Sequence, residues 1–235
     1  VISSMDSRVG VNTKSMDGVI QFETANSSHW KDICDLYKIT FAKFEPMCSH
    51  LGNMENSKTF SEVAKLLLPL GLSHVAVTMA GELAGFSINE VIQPNEETVY
   101  VKVGSKVFLE EPAECRRPIR VVNEYLRQLS EDFLKEYENA RKFYIVMTGV
   151  HPKFGQRGIH GEFVKLREAQ ARAAGCQVIF AEATSLYSQR NYCRRKYSMH
   201  RWLKFADFRF EGEKVFPDLI DNSHQGAKLF YKVLD

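Results

Sequence analysis

The segment from Val150 to Gly161 reads VHPKFGQRGIHG, with glycines at 155, 158 and 161 between an apolar run and an amphipathic one. Glycine lets a backbone approach an anion closely, and a helix N-terminus offers free N–H groups and a partial positive charge. A strand, a glycine loop and a helix in this order suit a pyrophosphate, although such glycines also read as plain turn residues. The spacing is neither GxxxxGK(S/T) nor GxGxxG, which argues against a nucleoside triphosphatase and a dinucleotide fold. Thr184 and Ser185 read as N-caps of a following helix, with Ser188 inside its first turn. The seven histidines contain no HExxH pair, and the five cysteines are odd in number without a CxxC, so neither a metal nor a disulfide framework is indicated. Cys176 and Cys193 read as packed thiols rather than nucleophiles.

These residues need elements to position them. Val19–Phe22 suggests a first strand, and apolar residues from Trp30 to Phe44 recur at helical spacing until Pro46 forces a stop near Glu45. Thr59–Leu70 reads as a second amphipathic helix, and His74–Met79 with Leu83–Val91 as a hairpin. Residues 94–118 contain three prolines and read as an irregular insertion. Val121–Tyr137 is expected to be helical, and Lys142–Val150 is the strongest strand, a continuous apolar run suited to the centre of a sheet. A helix over 158–174, a strand over 177–182, a helix over 185–196 and final strands over 199–205 and 229–234 complete the reading. The pattern is an α/β (α+β) mixture around one sheet, partly antiparallel.

Hydrophobic residues make up 44% of the 235, enough for one core, and the formal net charge is +2. That near balance argues against a nucleic-acid footprint and a polybasic membrane anchor, and points to a small-molecule partner. No apolar run reaches the roughly 20 residues that span a bilayer, and no charged-then-apolar leader opens the chain, so a cytoplasmic protein is expected. Residues 1–17 are polar and aperiodic and read as a flexible tail, followed by one domain over 18–235.

The glycine loop between strand and helix resembles the acetyl-coenzyme A motif of the GNAT acetyltransferase superfamily. In register, Gly158 matches that motif's central glycine, Gly155 stands where Arg or Gln is usual, and His160 where Gly or Ala is usual. The segments ATSLYSQRNYCRRKY (183–197) and LKFADFRFEGEKVF (203–216) are similar to the arylalkylamine N-acetyltransferases of invertebrates, as is FAKFEPMCSHL (41–51). The resemblance covers roughly residues 20–235, weakly between 55 and 140.

It implies a GNAT fold: a mixed, mostly antiparallel sheet, splayed where acetyl-coenzyme A enters and flanked by helices. It implies acetyl transfer to an arylalkylamine by direct attack in a ternary complex, without a metal. Thr148, Gly149 and Val150 would line the pantetheine arm, and Gly155, Gln156, Arg157, Gly158, Ile159, His160 and Gly161 would hold the phosphates. A protonated His160 would add to that grip, and Arg194-Arg195-Lys196 reads as a solvated face or a contact for the 3′-phosphate. Glu45 falls on the subfamily's general base, and Thr184 and Ser188 on its paired serines. Tyr187 is a candidate acid for the leaving thiolate, or else a core residue. A GNAT enzyme for a polyamine or a peptide N-terminus, and a non-catalytic acyl-coenzyme A binding protein, are the alternatives.

Overall fold

A computed structural model describes residues 19–216, 219 and 224–235. The tail expected over 1–17 lies outside the described residues. Strand β1 (Ile20–Thr24) leads through a turn capped by Asn26, whose side chain accepts from the Ser28 N–H, into helix α1 (Trp30–Phe44). Pro46 holds Glu45 in an extended conformation (ψ 132°), which ends α1, and then occupies the first turn of α2 (Pro46–Leu51). This short helix has no counterpart in the sequence reading, which stopped at the proline.

Helix α3 (Lys58–Leu67) passes into a 3₁₀ turn over Leu68–Leu70, shorter as an α-helix than expected because Pro69 cannot continue the ladder. Strands β2 (His74–Thr78) and β3 (Leu83–Ile92) form the expected hairpin, turning at Gly81 with φ 81°. The insertion over 94–118 is not irregular. It contains α4 (Val99–Val107), started by Thr98, whose hydroxyl accepts from the Val101 N–H, and the beginning of α5 (Ala113–Glu136). Pro118 sits inside α5, near its start, where a missing donor frees only one early carbonyl, so the helix runs through it. The insertion is fastened by Glu111, a buried carboxylate that accepts from the Lys58 and Thr59 N–H groups and the Thr59 hydroxyl at 2.6–2.9 Å. An anion there caps the N-terminus of α3 from a distant loop.

Strand β4 (Lys142–Val150), α6 (Ile159–Ala173), β5 (Val178–Ala183), α7 (Leu186–Arg194) and β6 (Ser198–Lys204) follow close to expectation. A small ribbon, β7 (Arg209–Phe210) with β8 (Glu213–Lys214), precedes β9 (Gly226–Val233), which begins earlier than expected. The seven-stranded sheet has the order β1-β2-β3-β4-β5-β9-β6, and only β4 and β5 pair in parallel. Helices α1, α3 and α5 cover one face, where Phe86, Phe133 and Phe180 are fully or almost fully buried. Helices α6 and α7 cover the other, over Phe143, Ile179 and Ala181. Alternation along β5 therefore sends Phe180 to the first face and Ala181 to the second. Among the described residues, no helix is long and apolar enough to cross a membrane.

Candidate active site

The sheet opens between its two parallel strands. The pairing of β4 with β5 runs from Lys142↔Val178 to Ile145↔Ala181 and stops, although both strands continue. At the same level β4 carries a bulge. Ile88 of β3 pairs with Met147 and Asn89 with Ile145, so Val146 is an extra residue. A bulge bends its strand and raises local twist. Beyond it, Met147–Val150 pair with β3 and no longer with β5. Thr148, Gly149 and Val150 stay paired to β3 along one edge, and their other edge lies past the end of the β5 pairing. An extended chain of amides fits such an edge. Gly149 is required: a Cβ there would lie 2.5 Å from the Phe86 ring and 2.9 Å from the Thr40 hydroxyl.

The glycine loop leads from this edge to α6. Gly158 adopts φ 77° and is the N-cap of α6, with no side-chain cap bond to the first-turn N–H groups. Gln156 also adopts a left-handed φ of 62°. Backbone N–H groups at Ile159, His160 and Gly161 thus stand at the positive end of a helix without a capping side chain. Gly155, Gln156 and Gly158 are exposed, and Arg157 lies with its guanidinium 5.3 Å over the Phe154 ring.

His160 does not serve as a cation here. Burial, with Arg167 and Arg195 nearby, pushes its pKa down to about 3, so the ring is neutral near pH 7. It bonds the Asn191 side chain of α7 at 2.6 Å instead. Nor is the basic cluster simply a solvated face. Arg195 is half-buried, and its guanidinium packs directly against Gly161 in the first turn of α6. These contacts tie α6 to α7 across the opening of the sheet.

On the opposite face, α1, α2, α3, α4 and α5 surround a cleft lined by Tyr37, Phe41, Phe60, Tyr100, Met47 and Met54. It measures about 610 Å³ counting its open mouth. Tyr37 stacks on Phe60 with ring centroids 4.0 Å apart. The inner end reaches the opening of the sheet, where Val146, Met147, Glu182 and Thr184 complete the lining.

Three residues singled out from the sequence meet around this cleft in different ways. Glu45 is buried beside it. Its Oε2 accepts from the Cys48 N–H at 2.7 Å, capping α2, and its Oε1 has no hydrogen-bond partner. Thr184 is buried and lines the cleft. Ser188 is half-buried and bonded locally. Its hydroxyl donates to the Ser185 carbonyl at 2.8 Å and lies 3.0 Å from the Ser185 hydroxyl, the N-cap of α7. Tyr187 is 76% exposed, so it is no core residue, and Cys193 is exposed rather than packed.

Two residues escaped the sequence reading. Glu182 points from β5 into the cleft and accepts from the Tyr144 hydroxyl at 2.6 Å. Burial raises its pKa to about 7, against the lowering effect of hydrogen bonds from Tyr144 and Ser130. An acidic residue interrupting the apolar run VIFAEA was the available signal. His224 accepts from the Leu186 N–H at 3.1 Å at the start of α7, and burial lowers its pKa against the opposing charge of Glu45. A single histidine in a polar loop gives no such signal. Among the described residues, no group of three metal-ligating side chains converges.

No protein-family model and no curated protein sequence matches the chain. Solved structures match it over nearly its whole length. Arylalkylamine N-acetyltransferase 2 from Aedes aegypti is 21% identical, with a TM-score of 0.75 over 92% of this chain and 99% of that one. The Drosophila melanogaster polyamine N-acetyltransferase, described as forming N-acetylagmatine, is 16% identical, with a TM-score of 0.72 over 92% and 100%. Arabidopsis thaliana NAA60 in complex with acetyl-CoA is 14% identical, with a TM-score of 0.53 over 91% and 98%. The sheet that splits at its one parallel pair, the bulge in β4 and the glycine loop before α6 thus stand in a chain with the GNAT acyltransferase fold, in the form seen in insect arylalkylamine N-acetyltransferases.

Proposed function

We propose that this protein is a cytoplasmic N-acetyltransferase that moves the acetyl group of acetyl-coenzyme A to the primary amine of an arylalkylamine. The observation that carries this reading is a cleft lined in part by aromatic rings that reaches Val146 and Glu182 at the opening between β4 and β5. The likeness to acetyltransferases, including one solved with acetyl-CoA, supports it. The free edge of β4 at Thr148–Val150 suits the pantetheine amides, and the uncapped start of α6 with Gly155–Gly161 suits the pyrophosphate. The two substrates then approach from opposite faces and meet at the opening, so direct transfer needs no acetyl-enzyme.

An alkylamine arrives protonated. Glu45, buried with one oxygen unpartnered, offers a carboxylate to attract that ammonium, and it is one of two carboxylates at the cleft able to accept its proton. Thr184 presents a hydroxyl at the reacting end, and Ser188, bonded into the start of α7, acts through the position of that segment. Tyr37, Phe41, Phe60, Tyr100 and Tyr144 contribute aromatic rings to the cleft wall, which favours an aryl substrate. The carboxylate of Glu182 in the same cleft favours a second reading, an amine carrying a further cationic group, as in a polyamine.

Thiol release from acetyl-coenzyme A tests the proposal, using tyramine, dopamine, octopamine, serotonin, agmatine and putrescine. Amine-dependent turnover is expected, fastest with the aryl amines, falling about 10²-fold or more in Glu45→Gln. Faster turnover of agmatine and putrescine would move the assignment to the polyamine reading. Coenzyme binding without turnover of any amine would leave a binding protein.

A further inference from the structure

Glu182 stands at the apex of the split sheet. Ile145↔Ala181 is the last pair between β4 and β5, and Val146 and Glu182 are the first residues beyond it. Because alternation sends Ala181 to the face of α6 and α7, Glu182 faces the cleft on the other side, and it does line that cleft. It is the residue of β5 that lines the cleft, immediately past the last pair with β4.

We propose that Glu182, held by the Tyr144 hydroxyl, is a proton acceptor for the attacking amine, a role that rests on the acetyl-transfer reading given above. The side chain is fixed rather than swinging. Tyr144 donates to Oε2 at 2.6 Å, and its ring stacks on Phe180 at 4.7 Å between centroids. Each carboxylate holds one oxygen in a hydrogen bond, Glu182 with the Tyr144 hydroxyl and Glu45 with the Cys48 N–H that starts α2. The two carboxylates divide the work: Glu45 draws the ammonium into the cleft, and Glu182 takes its proton at the reacting end.

The step balances as follows. The ammonium gives one proton to Glu182, and the freed lone pair of nitrogen forms a bond to the thioester carbon while the carbonyl π pair moves to oxygen. That pair returns, the carbon–sulfur bond breaks, and the sulfur leaves with the bonding electrons. The second nitrogen proton ends on the thiolate, and Glu182 returns the first to solvent. No oxidant, metal or further reactant is needed.

The groups that set the charge of Glu182 come from several elements. Tyr144 of β4 and Ser130 of α5 favour the ionised form, and burial opposes it. Tyr100 of α4 feels both Glu182 and Glu45, and Tyr144 also feels Glu90 of β3. Removal of the Tyr144 hydroxyl takes away a bond to the carboxylate, so the ionised form appears only at higher pH.

The test is the pH profile of kcat/KM between pH 5.5 and 9 for the protein, Glu182→Gln, Tyr144→Phe and Glu45→Gln. Each variant is checked for folding by its thermal transition and for acetyl-coenzyme A binding by calorimetry. The protein should lose activity on the acid side with an apparent pKa near 7. Glu182→Gln should bind the coenzyme as before, lose about 10²-fold in kcat, and lose that acid limb. Tyr144→Phe should keep the limb and move it to higher pH. An unchanged kcat and limb in Glu182→Gln, or a limb that disappears only in Glu45→Gln, would overturn the assignment while leaving the transferase reading intact. A protein that turns over no amine at any pH would overturn both.

Discussion

Glu45 caps α2 with one carboxylate oxygen and, under the proposed function, attracts the amine as well, and substitutions separate the two. Glu45→Gln keeps an acceptor oxygen for the Cys48 N–H, whereas Glu45→Ala removes the cap of α2. The alanine variant should lose about 1 kcal/mol of stability and the glutamine variant little, while both lose turnover. Thermal unfolding beside thiol release checks this; equal stability losses would mean that the charge, not the cap, holds α2. His160 yields a second expectation. Its folded pKa of about 3 lies below the ordinary 6.5, so unfolding takes up a proton between those values. The stability that comes from keeping His160 neutral is complete above pH 6.5 and is lost as pH falls toward 3. Relative to the parent, His160→Gln should therefore gain stability as the pH is lowered through that window, measured by denaturant midpoints. Glu45 and Thr184 were candidates only through resemblance, because a glutamate before a proline and a hydroxyl before a helix are ordinary caps. The protonation state of His160 was not legible at all, since it depends on Asn191, Arg167 and Arg195, which lie 7 to 35 residues away in sequence.

At the scale of elements, β4 is the part the sequence showed most clearly. A continuous apolar run followed by a glycine loop placed both the central strand and the start of α6. The bulge at Val146 was hidden, because a bulge depends on register with β3, and nothing in KFYIVMTGV marks the extra residue. The region between 94 and 118 misled for a different reason. Its prolines suggested a loop, yet α4 is started by Thr98 and the whole segment is fastened by Glu111 through bonds to residues more than 50 positions earlier. Glycine replacements probe the strand directly. Gly149→Ala pushes a methyl group into Phe86 and Thr40 and should cost about 1–3 kcal/mol, with a loss of coenzyme affinity from the displaced edge of β4. Gly161→Ala meets only the far end of the Arg195 side chain, which can move, so it should fold nearly as well as the parent. Chemical denaturation of the two variants side by side checks the difference, and equal losses would contradict this packing account.

Across the whole molecule, one sheet separates two working faces. The start of α6 and the α6–α7 seam carry the proposed anion site, while the cleft under α1 to α5 has aromatic residues and Glu182 in its lining. The seven strands keep these faces in register, and the opening between β4 and β5 is where they communicate. Arg167 is the strut of that arrangement. It is fully buried, donates to the Phe163 carbonyl at 3.0 Å and to the Thr148 hydroxyl at 2.8 Å, and so ties α6 to the free part of β4. Arg167→Met keeps much of the apolar volume but removes those bonds, and should weaken coenzyme binding more than it weakens folding; calorimetry and thermal unfolding of the same preparation check it.

The most direct test of the central claim is steady-state thiol release from acetyl-coenzyme A with tyramine, with agmatine and without amine, on the protein as it stands. Release that requires amine and is fastest with tyramine is the expected result. Release that is independent of amine, or absent while acetyl-coenzyme A binds, would contradict the assignment of an arylalkylamine acetyltransferase.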